Sequence, residues 1–91
     1  MLVVVSYDVP DDRRRQRLAK LLLGFGVRVL ESVFECDLTG AEYVQLERKM
    51  QRVMKRGEDQ VRVYFLCQGC RLQTRTFGGP AVEHSEPFYI A

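Results

Sequence analysis

Leu2-Val3-Val4-Val5 is a continuous, largely β-branched apolar run, the pattern of a strand covered on both faces. Pro10 ends it by removing a backbone donor and fixing φ, which leaves Asp8 at the strand's carboxyl end. Leu18, Leu21, Leu22 and Phe25 then recur at helical spacing, and Asp11 or Asp12 can cap the first turn. Arg13, Arg14, Arg15, Arg17 and Lys20 fall largely off that stripe. Gly24 and Gly26 bracket Phe25 and end the helix, after which Val27–Leu30 resumes as a strand. From Ser32 to Leu38 the chain alternates, with Phe34, Cys36 and Leu38 on one face and Val33, Glu35 and Asp37 on the other. No Gly, Pro or Asn separates Leu30 from Val33, so one bent strand of about a dozen residues competes with a hairpin, which is the preferred reading.

Thr39 and Glu42 have the spacing of a capping box, and Tyr43, Leu46, Met50, Val53 and Met54 form a one-sided helical stripe that stops at Lys55-Arg56-Gly57. Gln60 to Leu66 alternates again, Val61, Val63 and Phe65 against Arg62, Tyr64 and Leu66. The order strand, helix, strand, strand, helix, strand is α+β, the ferredoxin-like βαββαβ arrangement in which two helices cover one face of an antiparallel sheet. The other sheet face must then be polar, carry a ligand or meet another chain. The whole chain, 1–91, reads as one domain with a core over about 1–66 and a tail over about 67–91. In the tail, Thr74 to Phe77 can extend a strand, Gly78-Gly79-Pro80 forces a turn, and Phe88, Tyr89 and Ile90 make an apolar close suited to adding a strand to the sheet of a second copy.

Composition changes this picture in three places. Ninety-one residues bury only roughly 60 to 65 per cent of the surface the unfolded chain exposes, so association into a homodimer would help. No apolar run approaches the ~20 residues of a membrane span and no basic leader precedes the first strand, so a cytoplasmic protein without membrane contact is expected. Three cysteines, an odd number, argue for reduced thiols. The net charge of +2 is small, yet four arginines within five positions make a local basic patch.

That patch frames the candidate chemistry. Asp8, at the end of a buried strand and beside the arginine-rich helix start, is placed to hold a divalent cation against a phosphate; the competing reading is a carboxylate that caps the turn or pairs with an arginine. Mg²⁺ binds through one or two carboxylates with water and substrate phosphate, so a twofold dimer that brings two Asp8 side chains together suffices, and metal-activated hydrolysis follows. Arg13, Arg14, Arg15 and Arg17 can grip a phosphate backbone, against the alternative of a solvated face salt-bridged to Asp11 and Asp12, and Arg28 adds to the patch in the hairpin reading. Tyr7 and Phe34 can stack on a base, although core or interface positions are commoner for strand aromatics. Cys67-Gln68-Gly69-Cys70 is half a zinc site, with Cys36 and His84 as the remaining soft donors, and as a redox pair it stands after a late strand; buried or idle thiols are the simpler reading. His84 reads as a solvated side chain.

Val5-Ser6-Tyr7-Asp8-Val9, the arginine helix, Ser32-Val33-Phe34-Glu35 and Leu66-Cys67-Gln68-Gly69-Cys70 before Arg71, in that order and at this length, resemble the small CRISPR-associated protein that partners the integrase in spacer acquisition. The likeness runs from Leu2 to about Ile90. It implies a ferredoxin-like homodimer whose carboxyl-terminal strand joins the neighbouring sheet, binding to the DNA fragment being inserted, and metal-dependent cleavage of RNA or DNA. It also implies that Asp8 is the metal-binding and catalytic aspartate, one from each protomer, and that Tyr7, Arg15, Arg17, Arg28 and Phe34 occupy positions linked to activity or to the substrate backbone. The expectation is a Mg²⁺-dependent endonuclease within the adaptation machinery. The alternative is a non-catalytic DNA-binding dimeric adaptor for the CRISPR integrase. A ferredoxin-like small-ligand sensor or single-strand RNA binder is a third reading, and the chain lacks the aromatic motif of the latter.

Overall fold

A computed structural model describes residues 1–78. The elements are β1 (Leu2–Asp8), α1 (Asp12–Leu23), β2 (Val27–Leu30), β3 (Val33–Asp37), α2 (Gly40–Val53), β4 (Gln60–Leu66) and a short α3 (Gln68–Leu72). The strands form one antiparallel sheet in the order β2-β3-β1-β4, the ferredoxin-like topology. The strand that carries Asp8 is therefore central, flanked by β3 and β4.

Alternation along β1 sends Val3, Val5 and Tyr7 into the core beneath the helices, where Leu18, Leu22, Phe34, Cys36, Leu46 and Met50 meet them. Each fully buried Val, Leu or Phe side chain is worth about 1.5–3 kcal/mol of transfer free energy. The helix starts are fixed locally. Asp11, not Asp12, caps α1, its carboxylate accepting the Arg14 amide at 3.0 Å. Thr39 and Glu42 complete the capping box of α2, with the Thr39 amide donating to Glu42 at 2.8 Å and the Glu42 amide to Thr39 at 3.2 Å.

Residues 27–37 form a hairpin with a bulge between Arg28 and Leu30, not one bent strand. The turn into β2 runs close against β3: a Cβ on Gly26 would lie 2.6 Å from Cys36 Sγ, so only glycine fits there. Gly57, with φ of +90°, turns the chain from α2 toward β4. Of the stripe expected on β4, Val61 and Val63 pack on the core, whereas Phe65 is exposed and meets Tyr43 edge-on at 4.9 Å.

Arg14 departs from the open arginine face that its place in the sequence suggests. Its guanidinium grips the buried Asp59 with two hydrogen bonds, at 2.8 and 3.1 Å, and reaches Glu58 at 3.1 Å. It ties α1 to the start of β4, where the Asp59 and Glu58 carboxylates offset its charge. The Arg14 hydrogen bond holds the Asp59 carboxyl below the ordinary carboxylate range; burial opposes this, and the Lys55 amide at 2.7 Å adds to it. A carboxyl lowered on folding stabilises fully above its unfolded value of about pH 4, and that stability drains as the pH falls through the native value. Wild-type protein is expected to lose melting temperature steeply below about pH 4. Asp59→Asn should melt lower at pH 7 and show a shallower acid limb, measured by circular dichroism across a pH series; parallel limbs would refute the assignment.

The second sheet face, carrying Leu2, Val4, Ser6 and Asp8 of β1 beside Gln60, Arg62, Tyr64 and Leu66 of β4, has no helix of the α1–α2 layer on it. At one end α3 reaches across it. Arg71, almost fully buried, donates to Asp37 at 3.1 Å, and Leu2, the register partner of both Asp37 and Leu66, lies buried in that crossing. Thr74 to Phe77 forms no strand. Phe88, Tyr89, Ile90 and His84 lie outside the described residues, as does most of the expected Gly-Gly-Pro turn.

Candidate nucleic-acid and metal site

Two surfaces meet at the carboxyl end of β1, because a strand's period of two sends Tyr7 and Asp8 to opposite sides of the sheet. Asp8 is exposed on the open face, where Ser6, Tyr7, Asp8, Gln60 and Arg62 line a shallow cleft of about 160 Å³. At ~30 Å³ per water that is room for about five waters, the scale of a hydrated cation and not of a nucleotide. Ser6 and Asp8 pair in register with Arg62 and Gln60, so a carboxylate, a hydroxyl, an amide and a guanidinium share one rim.

The oxygen donors there are hard, as Mg²⁺ requires, and that ion binds through one or two carboxylates with water completing its shell. No group of three or more His, Cys, Asp or Glu side chains able to hold a metal occurs among the described residues, and Asp8 is the one carboxylate among the described residues that line the cleft. Arg62 is a site residue that the sequence does not mark as one. Its signal is present in the β4 alternation, but only the β1–β4 register shows that it shares Asp8's face.

On the helix side a basic groove of about 410 Å³ is lined by Arg15, Gln16, Lys20, Arg28, Glu31 and Ser32 among others. Arg28 is exposed, lies 5.3 Å from the centre of the Phe34 ring and donates to the Tyr7 hydroxyl at 3.3 Å, which itself donates to the Glu31 carbonyl at 3.5 Å. Tyr7 and Phe34 are 5% and 0% exposed and stacked at 6.2 Å. Neither exposes a ring face in this chain, the core placement that is commoner for strand aromatics. They form the floor that fixes Arg28.

Arg15 is half committed, donating to the Val9 carbonyl at 3.0 Å and pairing with Asp12 while still lining the groove. Arg13 and Arg17 are exposed and make no ion pair among the described residues. Of the four clustered arginines, then, two project free, one divides its bonds between turn and groove, and Arg14 is consumed by Asp59. Cys67 and Cys70 are exposed and Cys36 is buried, so the three thiols do not converge. No helix among the described residues is long and apolar enough to cross a membrane.

The family model described as CRISPR associated protein Cas2 matches residues 1–74. A Chloroflexus aurantiacus protein named CRISPR-associated endoribonuclease Cas2 1 is 50% identical over 92 residues, covering 99% of each chain. The crystal structure of Streptococcus pyogenes Cas2 at pH 6.5 superposes with a TM-score of 0.76 at 34% identity, covering 86% of this chain and 100% of that one. A chain of a partial Cas6-RT-Cas1–Cas2 complex does so with a TM-score of 0.75 at 29% identity, over 89% and 94%. With an aspartate ending the central strand of a ferredoxin-like sheet, a basic groove behind it and a match over most of its length, the chain belongs to the Cas2 family of CRISPR-associated proteins.

Proposed function

We propose that this protein is a Mg²⁺-dependent endoribonuclease of the CRISPR adaptation machinery, acting as a homodimer and partnering the integrase. The observation that carries the reading is the exposed Asp8 in a polar cleft at the end of β1. The endoribonuclease names of relatives at 40–50% identity favour RNA as the substrate, and a neighbour solved with Cas1 favours the integrase as a partner. Asp8 from each protomer would hold the ion, with the Ser6 hydroxyl and the Gln60 amide oxygen beside it. When bound, Mg²⁺ supplies an activated water and charge stabilisation for the departing oxygen. Arg62 offers a guanidinium to the scissile phosphate, and Arg15, Lys20 and Arg28 hold flanking phosphates in the groove. The open face, with Val4, Tyr64 and Leu66 on it and Leu30 66% exposed nearby, is apolar enough to favour a second copy over water.

Purified protein incubated with labelled single-stranded RNA should cleave it in Mg²⁺ and stop on chelation. Equal cleavage with and without the chelator would defeat the proposed chemistry. A second reading, the dimeric DNA-binding adaptor that cuts nothing, draws on the basic groove and on the single carboxylate each protomer brings to its cleft.

The groove makes its own prediction. Single-strand binding weakens with salt by roughly 0.7 log units per log unit of salt for each phosphate neutralised, so Arg28→Gln should flatten that slope by about 0.7 and weaken binding across all sequences. Arg14→Gln should leave the slope unchanged and lower the melting temperature instead. Filter binding over a KCl series separates the two, and an unchanged slope in Arg28→Gln would remove the groove from the interface.

A further inference from the structure

Cys67 and Cys70 take no part in the site just described. Cys67 follows β4 and caps α3, its sulfur accepting the Cys70 amide at 3.4 Å, so the motif opens a helix. The two sulfurs are 3.4 Å apart and both side chains are exposed, whereas Cys36 is fully buried. The next residue, Arg71, is pinned to Asp37, which docks the short helix on the sheet and holds the pair in place.

We propose that Cys67 and Cys70 form a thiol–disulfide exchange site that reacts with low-molecular-weight disulfides. Covalent closure needs the sulfurs to move from 3.4 Å to about 2.05 Å, a side-chain adjustment within one exposed turn. The two thiols are unequal. The Cys70 amide, directed at Cys67 Sγ, and the Cys70 thiol beside it lower the Cys67 thiol from its ordinary value, and the contact between the two sulfurs raises that of Cys70. Cys67 is thus the attacking sulfur and Cys70 the resolving one.

The Cys67 thiolate attacks one sulfur of the small disulfide, whose S–S bond breaks. The expelled thiolate takes up the proton that Cys67 released, and a mixed disulfide remains on Cys67. Cys70 then loses its proton and attacks Cys67 Sγ, expelling the second small thiolate, which takes up that proton. Two protein thiols are oxidised to one disulfide while one small disulfide is reduced to two thiols.

The test uses the intact reduced chain with a metal chelator and oxidised glutathione. Two of the three thiols should disappear with a mass loss of about 2 Da, and peptide mapping should find residues 67 and 70 joined within one chain. Cys70→Ser, which keeps the residue-70 backbone amide aimed at Cys67 Sγ, should accumulate the glutathione adduct on Cys67 faster than Cys67→Ser accumulates one on Cys70, whose sulfur receives no such donor. Circular dichroism confirms that each variant is folded. Equal adduct rates in the two folded variants, disulfides formed only between chains, or thiols that react only in denaturant would each overturn the proposal.

Discussion

Asp8→Asn should lower Mg²⁺-dependent RNA cleavage by about 10²-fold or more, because the charge stabilisation a held metal supplies is worth several kcal/mol at about 1.4 kcal/mol per tenfold, while leaving the fold intact. The side chain is exposed at a strand end and makes no hydrogen bond or ion pair among the described residues, so stability should change by less than about 0.5 kcal/mol. Asparagine keeps the shape and one oxygen but loses the charge that draws a divalent cation. Cleavage rates should therefore fall while the salt-dependent affinity for RNA, which rests on the helix-side groove, stays within a few-fold of wild type. If the variant cleaves at the wild-type rate in single-turnover assays, Asp8 is not the metal carboxylate and the nuclease reading fails with it. If neither protein cleaves any RNA while both bind it, the adaptor reading takes its place.

Phe34→Ala should be the most damaging single truncation near the site. The ring is fully buried between the helix layer and β3, and such a deletion costs about 3–5 kcal/mol against a total of roughly 5–15 kcal/mol for a small domain. At 4–8 °C per kcal/mol, the melting temperature should drop by more than about 12 °C. Phe34→Leu separates packing from function. It keeps most of the apolar volume but removes the ring over which the Arg28 guanidinium sits, a contact worth about 0.5–1 kcal/mol, so RNA affinity should weaken about two- to fivefold in a protein that remains folded. Wild-type affinity in Phe34→Leu, alongside weakened binding in Arg28→Gln, would show that the ring does not position the cation.

Elements with local signatures are legible in the amino-acid sequence. The 3.6-residue stripes of α1 and α2, the Thr39–Glu42 box and the alternation of β3 and β4 are short-range patterns, and the elements stand where their spacing places them, although Phe25 and Met54 fall past the helix ends and Phe65 lies exposed. What stays hidden depends on partners far along the chain. Nothing near Arg14 in sequence marks it as the mate of Asp59, and without that knowledge it looks identical to Arg13 and Arg17. Arg71 likewise gives no local sign that it will cross to Asp37, and α3 is too short to show a period. The candidate site is legible in part. Asp8 and Arg28 follow from the strand end and the hairpin, whereas the split of the site between two sheet faces, with Tyr7 and Phe34 as floor and Arg62 as rim, needs the register of β1 against both neighbours.

The central placement of β1 also dictates when the protein can begin to work. The strand is made first but acquires its outer neighbour only with Gln60–Leu66, so a nascent chain halted short of β4 leaves Asp8 beside an open edge, without the Gln60 and Arg62 wall of its cleft. Assembly of the sheet must wait for synthesis of nearly the whole core, and it closes through contacts between remote segments, which makes such topologies slow to form and prone to aggregation until they do. Premature stops or frameshifts upstream of Gln60 should therefore yield no partial activity at all, only unfolded chain.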